Sequence, residues 1–251
     1  MISKETKIGV VFGGPSGEYE VSCVSANTII QTLIENGYQN VFPIGVAKDG
    51  KWYGPVALND VKSFDATDYA NHELIMPQRP GAMLYDAVSF EPVLSIDVVF
   101  PIIHGSYGED GHIQAFLEMC RIPFVGAGMS GSLVGMDKVL MRDILKAHDI
   151  PQTAYVPVRR FDFESHKTAV IEEIEAKLSY PMFVKPACSG SSVGISKVHN
   201  QEELEKALAL AGKYDSKLLV EKGVNAREIE TAVLGNYDVA IAASGEIITE
   251  G

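Results

Sequence analysis

The chain has 251 residues, 46% hydrophobic and 22% charged, and its 21 basic against 33 acidic side chains give a formal net charge of −12. This is the composition of a globular protein of about one to two domains rather than of a disordered one, and so acidic a surface excludes a nucleic-acid backbone as partner. No apolar run reaches the ~18–20 residues a bilayer requires, the opening MISKETKIGVVFGG lacks a signal-peptide core, and Cys23, Cys120 and Cys188 without CxxC spacing point to a reducing cytoplasm.

In chain order, Lys7 to Phe12 (KIGVVF) is a short β-branched run stopping at Gly13-Gly14, which predicts a buried strand opening into a tight loop. Ala26, Ile29, Ile30, Leu33 and Ile34 recur at helical spacing up to Asn36-Gly37, and Val41 to Val46 is a second strand. Strand, glycine loop, helix and strand describe a βαβ unit in a parallel sheet. Residues 48 to 95, rich in Gly and Pro, read as variable connections. Ile96 to Ile103 is a further core strand running into His104-Gly105. Ile113, Phe116, Leu117 and Cys120 share one helical face, and Leu133, Met136, Leu140 and Ile144 define another helix ending before Ile150-Pro151.

The pattern then changes. Val170, Ile171, Ile174 and Leu178 mark a helix, Pro181 to Ala187 (PMFVKPA) a strand, 189–194 a Gly/Ser loop and 194–198 a strand. A helix at 202–211 and a strand at 217–221 follow, and 228–243 alternates like β sequence without visible partners. Two α/β units meet near residue 126, with no internal repeat.

Two literal motifs mislead. Gly126-Ala127-Gly128-Met129-Ser130-Gly131 spells GxGxxG, but Asp149, at the required distance, does not end a strand, so a glycine turn capping a helix is expected instead of a dinucleotide site. Gly190-Ser191-Ser192-Val193-Gly194 spells GxSxG, yet a strand-like stretch follows where a nucleophile elbow needs a helix. The same segment reads better as a phosphate cradle: Lys185 ends a buried strand, and glycines and serines supply amide and hydroxyl donors. A plain Gly/Ser hairpin is the competing reading. His104-Gly105-Ser106-Tyr107-Gly108-Glu109-Asp110-Gly111 concentrates functional side chains directly after a core strand, where α/β proteins place their sites. Glu18 and Glu20 sit at a helix start, where capping alone could explain them. Cys188 lies in the Gly/Ser loop with nothing beside it that marks a nucleophile.

Taken together, VVFGGPSGEYEVSCVSA (10–26), PIIHGSYGEDGHIQAFLE (101–118), IPFVGAGMSGSLVGMDK (122–138), YPMFVKPACSGSSVGISKV (180–198) and LLVEKGVNAREIETAVLGN (218–236) resemble the D-alanine–D-alanine ligases of the ATP-grasp superfamily. The resemblance implies an α/β protein: an N-terminal parallel-sheet, Rossmann-like preATP-grasp domain (1–126), a central ATP-grasp subdomain (127–222) and the start of a further subdomain (223–251). It implies ATP-dependent joining of two D-alanines for peptidoglycan, a Mg2+ or Mn2+ cofactor, a cytoplasmic setting and a homodimer formed through the first domain.

Residue by residue, the resemblance makes Glu18 the receiver of the first D-alanine's ammonium, with Val21 lining that pocket and His104 near its carboxylate and the acyl-phosphate. Lys138 and Lys185 match the lysines that grip ATP phosphates, with Ser191 and Ser192 beside them, and Ser191 also matches a serine that ties Glu18 to a closing lid. Glu221, Lys222 and Val224 match the hinge that holds adenine, and Glu228 the carboxylate on the ribose. Family members continue past ITEG into the lid, a catalytic arginine and the metal ligands. The resemblance thus implies an amino-terminal portion without metal ligands of its own. Cys188 departs from the polar residue expected there, and Ala115 from the usual glycine. D-lactate or D-serine as second substrate, and a nucleotide-binding module without catalysis, stay open.

Overall fold

The β-branched run near the N-terminus forms β1 (Ile8–Gly13), buried throughout. The computed structural model describes residues 3–248. α1 (Tyr19–Glu35) follows and packs Tyr19, Cys23, Ala26 and Ile30 against the sheet; of the apolar face expected from the spacing, Ile29 and Leu33 are partly buried and Ile34 is exposed. β2 (Val41–Val46) then runs parallel to β1. The next four strands, β3 (Trp52–Tyr53), β4 (Glu73–Ile75), β5 (Met83–Asp86) and β6 (Pro92–Ser95), extend the sheet antiparallel, and β7 (Val98–Pro101) closes the other side parallel to β1. The order is β6-β5-β4-β3-β2-β1-β7. The parallel part expected from the βαβ pattern is therefore the β2-β1-β7 core. Residues 48–95 are not mere connections but supply the antiparallel half, in strands of two to four residues. Strands so short carry no period-2 signature.

α2 (His112–Met119), α3 (Met129–Met136) and α4 (Lys138–Ala147) lead to the second unit. The single helix expected over 133–144 is two, because Asp137 adopts extended backbone and its carboxylate accepts the amides of Val139 at 3.0 Å and Leu140 at 3.1 Å, capping α4. Gly128 caps α3, so the GxGxxG match is the helix-capping turn.

β8 (Tyr155–Arg159), α5 (Arg160–Ser165), α6 (Lys167–Lys177), β9 (Met182–Pro186), β10 (Ser196–Val198), α7 (Gln201–Ala211) and β11 (Lys217–Lys222) build an antiparallel sheet ordered β10-β9-β11-β8. β8 has no counterpart among the sequence expectations. Its Pro157 argues against a central strand, and the strand is an edge, where a missing N–H is tolerated. Alternation gives this sheet two unlike faces. Val156, Val158, Met182, Val184, Val198, Leu218 and Val220 point into a core with Ile171, Ile174, Leu204 and Leu208 of α6 and α7. Tyr155, Lys185, Ala187, Leu219 and Glu221 occupy the alternate positions, where Val139 of α4 packs on Tyr155, Ala187 and Leu219.

β12 (Glu228–Glu230), β13 (Val233–Leu234), β14 (Ala240–Ile241) and β15 (Gly245–Ile247) are exposed throughout. They find partners among themselves, β12 with β15 and β13 with β14. No helix of the described residues is long and apolar enough to cross a membrane.

Ile174 is fully buried in the second core. Ile174→Ala should lower stability by about 2–5 kcal/mol in urea unfolding; an unchanged midpoint would mean that α6 does not hold this sheet.

Candidate active site

Glu18 stands at the N-terminus of α1, but its carboxylate makes no cap hydrogen bond. It accepts instead from the hydroxyl of Ser191 in the Gly/Ser loop between β9 and β10. Local capping, the competing explanation for an acid here, is therefore not what its side chain does. Glu20 pairs with Lys48 at 2.9 Å on the surface. The Glu18–Ser191 contact needs the space that the bare Cα of Gly105 leaves. A Cβ on Gly105, at φ +68°, would lie 2.5 Å from Glu18 Oε2, and one on Gly190 would lie 3.8 Å away. Val21, one turn beyond Glu18, is exposed.

The polar loop after β7 brings in His104. Its Nε2 is 3.0 Å from Ser25 Oγ of α1, and its Nδ1 is 3.5 Å from Glu109 Oε1. Gln114 of α2 braces the loop by donating to the Gly108 carbonyl at 2.7 Å. A cavity of about 440 Å³ opens beside His104 and is also lined by Glu109, Gly126 and Ser132. Another cavity, about 800 Å³, lies along β8 and α5 and meets the lysine cluster only through Val139 and Lys217.

The Gly/Ser loop links this acidic corner to a basic one. Lys138, at the start of α4, donates to the carbonyl of Ser189 at 2.6 Å and of Ala187 at 3.3 Å. Burial, and then the charge of Lys185, holds its ammonium below the usual lysine range. Ser191 and Ser192 have φ +47° and +58°, a left-handed conformation that non-glycine residues seldom adopt and that turns the loop back on itself. Ser192 is followed by a strand, not a helix, so the nucleophile-elbow geometry is absent.

Lys185 lies opposite Leu219, and Glu221 lies two residues further along β11 on the same face. The diagonal lets Glu221 pair with Lys185 through one carboxylate oxygen while Arg142 of α4 takes the other. The family resemblance assigns Glu221 to a hinge with Lys222 and Val224. The structure turns its side chain inward, only 7% of Glu221 being exposed, and leaves Lys222 and Val224 exposed at the end of β11. Glu228, on exposed β12, is not brought to this cluster by any hydrogen bond of the described residues.

Four further residues escaped the sequence reading. Asp215 accepts the amide of Cys188 at 2.8 Å and that of Lys217 at 3.0 Å, anchoring the loop's first residue. Lys217 pairs with Asp137 beneath it. Arg142 had one signal available: it follows Lys138 by four, the spacing that stacks side chains on one helical face. Burial, with the charges of Asp137 and Asp215, pushes the Cys188 thiol up to about 12, so it stays protonated at neutral pH. The arrangement offers a carboxylate for an ammonium, a histidine beside it, and two lysines and a small-residue loop for an anion.

A three-strand parallel core followed by an antiparallel sheet with lysines and a Gly/Ser loop on its open face is the architecture of an ATP-grasp protein with its preceding domain. The chain belongs to the D-alanine–D-alanine ligase family. The family description "D-ala D-ala ligase N-terminus" matches residues 7–127, and "D-ala D-ala ligase C-terminus" matches residues 144–251. A D-alanine–D-alanine ligase of Natranaerobius thermophilus is 43% identical over 246 residues, 98% of this chain and 67% of that protein. One of Enterococcus hirae is 41% identical over 97% of this chain and 68% of its own. Among solved structures, the VanG D-Ala:D-Ser ligase of Enterococcus faecalis has a TM-score of 0.86 at 32% identity, covering 96% of this chain and 69% of that one. The D-alanine–D-alanine ligase of Coxiella burnetii gives 0.82 at 31%, covering 97% and 71%. The chain thus spans about two thirds of the length of the curated relatives it matches.

Burial alone would raise the Asp137 carboxyl, but hydrogen bonds from Lys217 and from the Leu140 and Val139 amides outweigh it and hold the group below the usual carboxylate range. A depressed folded value stabilises the fold above the unfolded value of about 3.9 and is lost as pH falls through the folded one. Asp137→Asn should therefore flatten the decline of thermal stability below about pH 4. An acid limb identical to wild type would remove Asp137 from the acid response.

Proposed function

We propose that the chain carries the first-substrate and phosphate-gripping residues of an ATP-dependent D-alanine–D-alanine ligase. The observation that carries this reading is the Gly/Ser loop itself, whose Ser189 carbonyl receives Lys138 while Ser191, two residues on, reaches Glu18. An anion held by the lysines and an amino acid held by Glu18 are thereby set on the two sides of one short turn. The units are read as 1–126, 127–222 and 223–251.

In this reading Glu18 receives the ammonium of the first D-alanine, with Val21 along its methyl group. Lys138, Lys185, Ser191 and Ser192 hold the phosphates, the adenine lies at Glu221, Lys222 and Val224, and Glu228 takes the ribose. A carboxylate oxygen of the first D-alanine attacks the γ-phosphorus, the bond to the β-phosphate oxygen breaks, and ADP leaves with that electron pair. The lysines offset the charge spreading over the transferring group. The amine of the second D-alanine then attacks the acyl carbon, phosphate departs with the C–O electron pair, and the amine loses a proton. His104, its ring held by Ser25 and Glu109, lies beside the carboxylate of the first D-alanine and the acyl-phosphate formed from it.

The family's chemistry implies a divalent cation, Mg2+ or Mn2+. Among the described residues no group of three or more His, Cys, Asp or Glu could hold one. These residues do not fit that role, and no step is assigned through it. A cytoplasmic homodimer acting in peptidoglycan synthesis completes the proposal. The likeness to a D-Ala:D-Ser ligase favours a second reading in which D-serine is the second substrate. Product analysis with D-alanine and D-serine in competition separates the two.

The test is D-alanine-dependent phosphate release from ATP by the full gene product. Lys185→Ala should cut kcat/KM for ATP by about a hundredfold or more; near-normal turnover would remove the phosphate assignment. Glu18→Gln should raise the KM for D-alanine by about tenfold with the KM for ATP little changed. Loss of nucleotide binding with amino-acid binding intact would reverse the map of the site.

A further inference from the structure

Arg142 has no part in the assignments above, yet it is tied more closely to the nucleotide side than most residues that do. It shares the Glu221 carboxylate with Lys185, and both pairs sit in a largely buried setting, with side-chain exposures of 16% for Arg142, 9% for Glu221 and 23% for Lys185. Arg142 is held at both its side chain and its backbone, although its buried Nε has no hydrogen-bond partner among the described residues. Gln152 Oε1 accepts from Nη1 at 3.4 Å, Gln152 Nε2 donates to the Arg142 carbonyl at 2.8 Å, and the Tyr155 ring lies 5.8 Å away. The Tyr155 hydroxyl in turn donates to Asp143 at 2.7 Å. Such bracing fixes a side chain that would otherwise be mobile.

The charge balance gives the bracing a purpose. In a chain of formal charge −12, a polyanion needs a local excess of positive charge. Lys138 and Lys185 supply it, but Glu221 lies directly on Lys185. Were that carboxylate matched by Lys185 alone, the pair would present no net charge to a phosphate. With Arg142 on its second oxygen, the Arg142–Glu221–Lys185 group keeps one net positive charge, and Lys138 adds another.

We propose that Arg142 is a positioning residue of the nucleotide site, which by sharing the Glu221 carboxylate leaves Lys185 with net positive charge for the phosphates of the bound nucleotide. The inference rests on the nucleotide reading above. It predicts an effect that grows with the number of phosphates, whereas a purely architectural role for Arg142 would weaken adenosine and ATP alike.

The experiment is calorimetric binding of adenosine, ADP and ATP to the full gene product, with circular dichroism as the control for folding. Arg142→Met should weaken ATP by about tenfold, ADP by less, and adenosine by under about twofold, as expected for loss of one partly screened charge. Arg142→Lys should recover most of the ATP affinity. Arg142→Met combined with Glu221→Gln removes both members of the pair, avoids an uncompensated buried charge, and should raise the ratio of ATP to adenosine affinity above that of Arg142→Met alone. Equal losses for adenosine and ATP, no loss for ATP, or a double variant whose ratio of ATP to adenosine affinity stays as low as the single variant's would each overturn the role of Arg142 while leaving the nucleotide reading in place. A wild-type protein that binds none of the three overturns both.

Discussion

The hydrogen bond from Ser191 to Glu18 joins residues 173 positions apart, and the geometry of the site follows from it. One partner stands at the first turn of α1, beneath the parallel core of the first sheet; the other stands on a loop of the second. Neither conformation is easy. Glu18 forgoes the local capping its position invites, and Ser191 and Ser192 both adopt positive φ. Strain of this kind, about 1–3 kcal/mol per residue, persists only where the surroundings over-determine it. Here Asp215 fixes Cys188 at the loop's start, Lys138 grips the Ser189 carbonyl, and the bare Cα of Gly105 leaves Glu18 its space.

Electrostatics shapes the other side of the same loop. An acidic protein that handles phosphate must concentrate its few cations and keep its carboxylates from cancelling them. Burial, and after it the nearby charge of Lys185, disfavours the charged form of Lys138. Cations crowded and partly desolvated in this way gain most when an anion arrives. The Lys217–Asp137 pair, by contrast, joins a strand to the capped start of α4 and so holds Lys138 in place.

Much of this was legible along the chain, for identifiable reasons. β1 and β2 are apolar runs of 6 residues each, and α1 repeats its apolar spacing over 17, long enough to be unambiguous. The lysine at a strand end before CSGSSVG and the polar run after β7 announce themselves by composition. The misses are equally physical. β3 to β6 are too short to show alternation, Pro157 disguises an edge strand, and Asp137 splits a helix whose apolar spacing runs on across the break.

By itself, the sequence determined the order of elements, the apolar faces that had to be buried, the loops flexible enough to receive an anion, and the family to which their combination belongs. The Ser191–Glu18 link was implied by the family resemblance, but tertiary structure alone decided which charges meet: Glu221 between Lys185 and Arg142, and Asp137 with Lys217. The reason is one of range. Periodicity and turn chemistry act over a few residues, whereas these contacts depend on sheet register and on how α4 crosses the sheet, which are set only when distant segments pack together.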